Sequence, residues 1–360
     1  MGYSEWETVT LEDVCYFGTE KIATDEVTEE NYISTENMIA EKGGVTTASS
    51  LPSTKTVSKY EKNDVLISNI RPYFKKIWFA TKSGGSSNDV LILKTKEKNN
   101  IDNKYLYYSL LSDDFFNYVT ATSKGTKMPR GDKGAIMKYE IKLPSLDEQK
   151  LIVHMLSSLD EKIETNNQIN QKLEEMAQAI FKHWFIDFEF LNGDGEPYKS
   201  SGGEMVESEL GMIPKGWKVK TLDQIVVLST QSVNPQKFPD REFEHFSIPA
   251  LDNNKTPEMQ SGKEIKSSKY LIGDNVVLIS KLNPTTKRIW KPFPQGENPV
   301  CSTEFMVYMP KEENILSYVF ELINSEKFSQ LLVSHATGST GSRQRVKPSE
   351  IGRASCRERV

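Results

Sequence analysis

The chain has 360 residues, of which 37% are hydrophobic and 26% charged, so it is long enough for two domains of ordinary size. It holds no run of about 18 apolar residues and no apolar segment behind a basic start, so the sequence predicts neither a membrane span nor a secretory signal, and we expect a cytoplasmic protein. Its cysteines and histidines lack the spacing of metal ligands, and they are Cys15, Cys301, Cys356, His154, His183, His245 and His335. We therefore expect neither a metal site nor a disulfide framework.

The net charge of -5 is distributed unevenly along the chain. Residues 1–50 hold 2 Lys and Arg against 11 Asp and Glu, whereas residues 51–142 hold 17 against 9. Affinity for nucleic acid depends on such a local excess of basic residues more than on the net charge of the whole chain. The segment 51–142 is therefore locally suited to contact phosphate groups.

The first predicted domain, residues 1–142, mixes strands, helices and basic loops. The run V-L-I-S at residues 65–68 is apolar and β-branched and lies between turn-forming residues, which is typical of a buried strand. An apolar helical stretch begins at Tyr105, and a loop rich in Gly, Ser, Thr and basic residues covers residues 121–130. The pattern therefore predicts an α/β or α+β domain with basic loops.

A long helix is predicted within residues 143–190. Pro144 followed by acidic residues is a typical helix start. Residues spaced alternately three and four apart then form the seam of a heptad pattern, and they are Leu156, Leu159, Ile163, Asn166, Asn170, Leu173, Ala177, Ile180 and Trp184. One amphipathic helix lying on a domain core would give a similar seam, but a seam from about residue 150 to 184 exceeds the usual globular length. We therefore favour a coiled-coil helix, whose seam asparagines would specify pairing with one partner helix.

A second domain, residues 214–350, follows a Gly-rich polar segment at residues 191–213 that predicts an exposed linker. This second domain repeats features of the first about 212 positions later. The matching pairs occur in one order, and they are Trp6 and Trp217, Leu11 and Leu222, Val14 and Ile225, Asp64 and Asp274, Ser68 and Ser280, Pro72 and Pro284, Lys76 and Arg288, and Trp78 and Trp290. Because so many features recur in one order at nearly constant spacing, we infer a duplicated domain.

Residues 143–188 resemble the central conserved region of type I restriction specificity subunits, beginning L-P-S-L-D-E-Q-K-L-I-V-H-M-L-S-S-L-D-E-K-I. The openings at Trp6 and at I-P-K-G-W (213–217) resemble the starts of that family's two target recognition domains, and the resemblance covers about residues 4–350. It implies two duplicated target recognition domains joined by a long coiled-coil helix. Each domain would read one half of a split site in double-stranded DNA, and a pair of antiparallel conserved helices would set the distance between the halves.

The resemblance also implies partner proteins. The conserved helices would dock methyltransferase subunits, and restriction subunits would join through the complex. The chain itself would need no cofactor and would not be an enzyme, since its partner subunits would use S-adenosylmethionine, ATP and magnesium. No membrane partner is expected.

The C-terminal end departs from the family pattern. A second conserved helix should follow the second domain, and the chain ends before it, so we expect that domain to be truncated near Glu350. The last residues, I-G-R-A-S-C-R-E-R-V, back-translate into a sequence that resembles a sequencing-library adapter. We therefore expect residues 351–360 to be a non-native tail.

Candidate DNA contacts are the basic and small polar residues of the loops that recur in both domains. Lys and Arg neutralise phosphates, whereas Arg and Asn can pair with guanine or adenine and Ser or Thr can donate to either group. The candidates in the first domain are Arg71, Lys75, Lys76, Ser86, Ser87, Asn88, Lys124, Lys127 and Arg130. Those in the second domain are Lys281, Lys287, Arg288, Ser302, Thr303, Arg343, Arg345 and Lys347. Any single lysine among them could instead be a solvated surface charge.

Other functions fit the sequence less well. Asp64 and Asp274 recur before a strand, but such carboxylates are more often turn residues than catalytic groups. Trp78 and Trp290 end apolar runs, which favours core packing over stacking on an extruded base. A methyltransferase motif is missing around the Asn-Pro steps at 234–235 and 283–284, and the acids of P-D-R-E-F-E-H (239–245) lack the lysine of a nuclease motif. A coiled-coil scaffold that does not bind DNA remains the alternative, and it leaves the recurring basic loops unexplained.

Overall fold

The computed structural model describes residues 6–96, 101–253, 255–338, 344–353 and 355–359, and only the backbone of the last range. The chain divides into two compact units, Met1–Asn167 and Gln168–Val360. Each unit combines small sheets with short helices, so the predicted mixed α and β fold is confirmed.

Unit 1 contains ten strands and four short helices before the long helix among its described residues. The strands are β1 (Glu7–Thr10), β2 (Cys15–Phe17), β3 (Lys21–Ala23), β4 (Tyr32–Ile33), β5 (Thr56–Tyr60), β6 (Val65–Ser68), β7 (Ile77–Phe79), β8 (Gly84–Ser86), β9 (Val90–Thr95) and β10 (Glu140–Leu143). The helices are α1 (Leu11–Val14), α2 (Asn103–Leu110), α3 (Asp113–Ala121) and α4 (Lys133–Met137).

The strands of unit 1 form three sheets. Two have four strands, in the orders β2-β9-β6-β7 and β3-β5-β8-β4, and β1 pairs with β10. The first sheet is antiparallel, with Ser68 of β6 opposite Val90 of β9. Its V-L-I-S strand is buried along its whole length, as predicted, and it packs on helices α2 and α3 through residues such as Leu106 and Phe115.

The long helix α5 (Leu146–Phe181) has 36 residues and ends in a π-helical turn, Lys182–Ile186. Its start is closed by Ser145 and Glu148, since the backbone N–H of Ser145 donates to Oε2 of Glu148 at 3.0 Å and the backbone N–H of Glu148 donates to Oγ of Ser145 at 3.4 Å. The predicted helix therefore forms close to its expected limits. Its first part belongs to unit 1 and its second part to unit 2.

Residues 191–213, the predicted exposed linker, are mostly exposed and contain regular secondary structure. They include a hairpin of β11 (Met205–Ser208) and β12 (Gly211–Pro214). Tyr198 stacks on Phe190 with ring centroids 4.8 Å apart, and Phe190 stacks on Trp217 at 5.2 Å. Burial of these aromatic rings folds the segment against the start of the second repeat, and the Gly-rich composition gave no sign of it.

Unit 2 repeats the elements of unit 1. Its remaining strands are β13 (Trp217–Thr221), β14 (Val226–Ser229), β15 (Ser232–Val233), β16 (Glu242–Phe246), β17 (Glu258–Ser261), β18 (Lys269–Leu271), β19 (Val277–Ser280), β20 (Ile289–Trp290), β21 (Pro299–Ser302), β22 (Phe305–Pro310), β23 (Ala336–Thr337), β24 (Arg345–Val346) and β25 (Ser355–Arg359). Its short helices are α6 (Leu222–Ile225), α7 (Ile248–Asp252), α8 (Leu316–Asn324), α9 (Glu326–Ser334) and α10 (Pro348–Ile351).

The sheet orders of the two units correspond strand by strand. The order β14-β22-β19-β20 repeats β2-β9-β6-β7, and β15-β18-β21-β16 repeats β3-β5-β8-β4 with β17 added at the edge. The opening helices also match, because the side chain of Asp13 accepts the backbone N–H of Thr10 and that of Gln224 accepts the backbone N–H of Thr221. The predicted duplication is therefore confirmed.

The backbone of β25 pairs antiparallel with β13, as β10 pairs with β1 in unit 1. Residues 355–359 thus occupy the place that residues 140–143 occupy in the first repeat. This pairing does not test the expectation of a non-native tail, which stays a prediction.

Candidate nucleic-acid interface

Three loops of unit 1 meet at one end of the sheet β2-β9-β6-β7. The first follows β6, the second precedes β9, and the third follows α3. The backbone N–H of Asn69 donates to the carbonyl of Asp89 at 2.8 Å, and the N–H of Gly131 donates to the carbonyl of Asn69 at 3.0 Å. The N–H of Arg71 donates to the carbonyl of Pro129 at 2.8 Å. Backbone bonds therefore bring the candidate residues of all three loops into one junction.

The loop after β6 is held in a tight turn with an unusual backbone. Arg71 and Lys75 flank the 3-10 turn Pro72–Phe74, and both have φ of 50°, in the left-handed region. A non-glycine residue in this region costs about 1 kcal/mol or more, and such residues concentrate at functional sites. In the third loop, Gly125 has φ of 100°, which favours glycine there.

The basic side chains of unit 1 divide into exposed and anchored groups. Arg130 and Lys127 are exposed, and Arg130 forms an ion pair with Asp89, with Nη2 and Oδ1 3.0 Å apart. Lys124 is exposed and pairs with Asp132. These three side chains lie in the loop after α3, where the repeat predicted them.

The remaining basic candidates of unit 1, Arg71, Lys75 and Lys76, are less exposed than Lys124, Lys127 and Arg130. Nζ of Lys76 donates to the carbonyl of Thr35 at 2.6 Å, and burial lowers the pKa of Lys76. Nζ of Lys75 lies 3.1 Å from Oδ1 of Asp113, and Arg71 is half-buried, with its Nε lacking a hydrogen-bond partner among the described residues. Lys76 therefore fastens its own loop and is less available to DNA than Lys127.

The small polar candidates differ in their access to solvent. Ser86 is fully buried in β8, so it cannot reach DNA in this conformation. Ser87 is half-buried, and the exposed Asn88 accepts a hydrogen bond from Nζ of Lys21 at 2.9 Å. Strand β8 is buried along its whole length and exposure increases only after the strand ends, and the S-S-N run alone did not reveal where that boundary lies.

Three exposed apolar side chains lie in the same loops and were not among the predicted candidates. Tyr73 and Phe74 are 45% and 38% exposed with ring centroids 4.7 Å apart, and Met128 is 49% exposed. Apolar groups beside basic residues suit contact with thymine methyl groups or base steps. The P-Y-F run next to Arg71 was the available sequence signal.

Unit 2 builds the same junction from equivalent loops. The backbone N–H of Lys281 donates to the carbonyl of Glu304 at 2.8 Å, and the N–H of Val346 donates to the carbonyl of Lys281 at 3.0 Å. The N–H of Asn283 donates to the carbonyl of Gln344 at 2.9 Å, and Asn283 has φ of 51°, as Arg71 has in unit 1. Arg343 lies outside the described residues.

The basic candidates of unit 2 also divide into exposed side chains and side chains anchored by ion pairs. Arg345 and Lys347 are exposed, and Arg345 makes two hydrogen bonds to Glu304. Nε of Arg288 donates to Oδ1 of Asp252 at 2.7 Å, and its Nη2 donates to Oδ2 at 2.8 Å, so Arg288 is anchored like its equivalent Lys76.

The other candidates of unit 2 are less exposed or already bonded. Nζ of Lys281 lies 5.8 Å from the ring centroid of Tyr270, and Nζ of Lys287 donates to the carbonyl of Asn324. Ser302 and Thr303 are half-buried beside the junction.

The recurring residues Trp78, Trp290 and Asp64 make packing or turn contacts within the protein. Trp290 is buried against Phe246, with ring centroids 4.8 Å apart, and Trp78 packs edge-on against Tyr60 at 5.8 Å. Oδ2 of Asp64 accepts the backbone N–H of Glu61 at 2.7 Å, which is the turn role expected of it. Asp274 is exposed.

The described ranges contain no cluster of three His, Cys, Asp or Glu side chains able to hold a metal ion. Within the same ranges, no helix has both the length and the apolar character needed to cross a membrane.

Comparisons with known proteins agree with this architecture. Residues 3–175 match the sequence profile of the type I restriction modification DNA specificity domain. The specificity subunit of type I restriction enzyme MjaIX from Methanocaldococcus jannaschii is 32% identical over 174 residues, which span 48% of this chain and 38% of that protein. The HindI specificity subunit from Haemophilus influenzae is 24% identical over an alignment of 356 positions that covers 75% of this chain and 76% of that protein.

The fold of the whole chain also has a solved counterpart. The crystal structure of the S subunit of a type I restriction-modification system from M. genitalium aligns with a TM-score of 0.55 and 14% identity, covering 98% of this chain and 84% of that one. The sequence profile covers the first unit and most of the long helix, and the sequence relatives are specificity subunits. The chain therefore resembles the specificity subunits of type I restriction enzymes, with the domain profile matched over residues 3–175, and this resemblance supports a role in DNA sequence specificity.

Proposed function

We propose that this chain reads a bipartite, asymmetric site in double-stranded DNA, with one half-site read by each unit, and that it performs no catalysis itself. The observation that carries the proposal is the loop junction that recurs in both units. Each junction joins the ends of two central strands to a basic loop, and each places an exposed arginine there, Arg130 in unit 1 and Arg345 in unit 2. A recurring junction of this kind suits two related DNA contacts better than one catalytic centre.

The two half-sites should differ in sequence. The strands below the junctions match, with V-L-I-S in both β6 and β19, whereas the loops above them do not. Arg71 corresponds to Asn283, and unit 1 has the exposed pair Tyr73 and Phe74 where unit 2 has Thr285 and Thr286. Because one good base contact discriminates by about 1 to 3 kcal/mol, a few loop substitutions are enough to change the preferred bases.

For helix α5 we propose pairing with a second helix of heptad pattern and docking of methyltransferase subunits. The seam residues are exposed over the length of the helix, with Leu159 and Ile163 each 60% exposed and Leu173 57%. A row of apolar side chains on one face of a 36-residue helix suits a partner helix, and Asn166 and Asn170 would select its register. The proposed partner is a second conserved heptad helix of the kind that the family resemblance implies.

The complex would then supply the chemistry. Methyltransferase subunits would use S-adenosylmethionine, and restriction subunits would use ATP and magnesium. This chain would contribute the choice of DNA site and the spacing between its two halves. The purified chain should therefore transfer no methyl group and hydrolyse no ATP alone.

A salt-dependent DNA binding assay tests the proposal. The 360-residue chain should bind duplex DNA with an affinity that falls as salt rises, because phosphate contacts release counterions. Selection from random duplexes, with methyltransferase subunits present, should return two different half-sites at a fixed gap. Failure to bind DNA at low salt, together with partner binding through α5, would favour the scaffold function instead.

A further inference from the structure

Arg130 and Arg345 occupy the same position in the two loop junctions. Arg130 forms an isolated β-bridge with Ile70, and Arg345 forms one with Leu282. Ile70 and Leu282 each lie two residues after the buried V-L-I-S strand. In each unit, the backbone around the arginine is therefore hydrogen-bonded to the loop that directly follows the buried V-L-I-S strand.

Each guanidinium contacts the acidic residue that directly precedes an equivalent strand. Asp89 precedes β9 and lies 3.0 Å from Nη2 of Arg130. Glu304 precedes β22 and accepts hydrogen bonds from Nε of Arg345 at 3.1 Å and from Nη2 at 3.0 Å. The arginine side chains are 58% and 57% exposed, and the carboxylates 34% and 32%. Asp89 and Glu304 differ in side-chain length, yet the arginines that they contact are almost equally exposed.

Among the described residues, the bonds to Glu304 leave one edge of the Arg345 guanidinium without a hydrogen-bond partner. A guanidinium has five N–H donors, and Glu304 takes one from Nε and one from Nη2. Two donors on Nη1 and one on Nη2 remain, and Nη1 and Nη2 form an edge with parallel N–H groups. Because the two bonds fix the plane of the guanidinium, that edge has a defined direction. In the major groove, guanine presents two acceptors, O6 and N7. Their spacing matches that of the two parallel N–H groups on the Nη1 and Nη2 edge.

We propose that Glu304 and its counterpart Asp89 are positioning residues, each of which holds its arginine so that the guanidinium N–H groups it leaves free read a guanine in the half-site of that unit. This inference rests on the proposed function and adds to it one contact per unit. An acid at this place lowers the net attraction for phosphate, so its presence beside the arginine suits base reading better than charge neutralisation. Lys127 and Lys347, both exposed, remain for phosphates.

The test is selection of preferred duplexes by the full chain with its methyltransferase partners, followed by binding measurements on single-base variants. Arg130→Lys and Arg345→Lys should each relax the preference for one guanine, in one half-site only, by about 5- to 100-fold. Asp89→Asn and Glu304→Gln should relax the same position in the same half-site while leaving the salt dependence nearly unchanged. Asp89→Glu introduces into unit 1 the acidic residue found at the equivalent position of unit 2. Unlike Asp89→Asn, it should keep the preference for that guanine.

Control variants remove one charge elsewhere in each unit. Glu61→Gln and Glu204→Gln each remove the acid of an exposed ion pair, with Lys59 at 3.1 Å and with Lys215 at 2.8 Å, and they should leave both half-sites unchanged. Thermal unfolding of every variant shows whether it is still folded. A variant that unfolds like the wild type but has lost its base preference has lost only the position of its arginine.

Three results would overturn the inference. If Asp89→Asn tightens binding to all sequences equally, the acid only competes with DNA for Arg130. If Arg130→Lys and Arg345→Lys leave the selected bases unchanged, the arginines do not read them. If the wild-type chain in its complex shows no salt-dependent DNA binding, the proposed function itself fails and this inference fails with it.

Discussion

The side chain of Gln149 joins the first turn of helix α5 to the start of helix α2 through Asp102. Its Oε1 accepts the backbone N–H of Asp102 at 2.8 Å, and its Nε2 donates to the carbonyl of Pro144 at 2.8 Å. Gln149 is completely buried, so water cannot replace these bonds. The amide thus fastens the long helix to the body of unit 1.

Replacing Gln149 should therefore destabilise unit 1. Gln149→Leu leaves a buried donor and a buried acceptor without this partner, and we expect the free energy of unfolding to fall by about 1 to 3 kcal/mol. Urea unfolding measures the change. Gln171→Leu, at an exposed position of the same helix, is the control and should change it by less than about 0.5 kcal/mol. Equal effects of the two substitutions would contradict the role of Gln149.

The contact between Arg345 and Glu304 should make stability depend on acid pH. The hydrogen bond from Arg345 holds the pKa of Glu304 below its ordinary value, against the opposing effect of burial. Because the folded pKa is the lower one, the stabilisation is present above the unfolded pKa of about 4.3 and is lost as pH falls through the folded pKa. The carboxylate is partly exposed, so the effect should stay within about 1 kcal/mol.

Thermal unfolding of the wild type and of Glu304→Gln at neutral pH and near pH 3 measures this effect. The wild type should be the more stable at neutral pH, and the difference should shrink at the lower pH. A difference that is equal at both pH values would show that the ionised pair does not contribute.

The exposed seam of α5 should matter for assembly and little for folding of the chain alone. Leu159→Asp combined with Ile163→Asp should change the free energy of unfolding by about 1 kcal/mol or less, because both side chains are exposed. The same pair should abolish copurification with methyltransferase subunits, since charge at seam positions blocks helix pairing. Lys162→Asp combined with Thr165→Asp, at exposed positions outside the seam, should keep copurification. Assembly that survives the seam substitutions would remove α5 from the docking surface.

Lys127 should contribute to affinity without contributing to base choice. Its side chain is exposed in the third loop of unit 1, and Lys127→Ala should weaken binding about equally for all sequences. The slope of log affinity against log salt should become shallower by about 1 if the ammonium neutralises one phosphate. Lys55→Ala, which removes an exposed lysine before β5, provides the comparison. An unchanged slope would place Lys127 away from the DNA.

The length of the long helix should set the gap between the half-sites. An insertion of four residues near Asn170 adds about one helical turn. With a partner helix lengthened to match, selection should return the same half-sites separated by a longer gap. Altered half-sites at the original gap would contradict the proposed role of α5 as a spacer.

The duplication, the long helix and the buried strands could all be predicted from the amino-acid sequence. These features depend on local order and periodicity: V-L-I-S forms a buried strand in both units, and the heptad spacing extends through a helix of 36 residues. Trp78 and Trp290 were correctly placed among packed aromatic residues for the same reason. The family resemblance was confirmed by the profile match over residues 3–175.

Tertiary structure decided which candidate side chains are available to DNA. Glu304 and Arg345 are 41 positions apart, and Asp252 and Arg288 are 36 apart, so their pairing depends on how loops close over the sheets. Burial of strand β8 turned Ser86 inward, and stacking of Tyr198 on Phe190 packs part of the predicted linker against a ring that itself stacks on Trp217. Such contacts arise from the register of distant strands and the burial of side chains from separate segments, and local composition and periodicity carry no information about either.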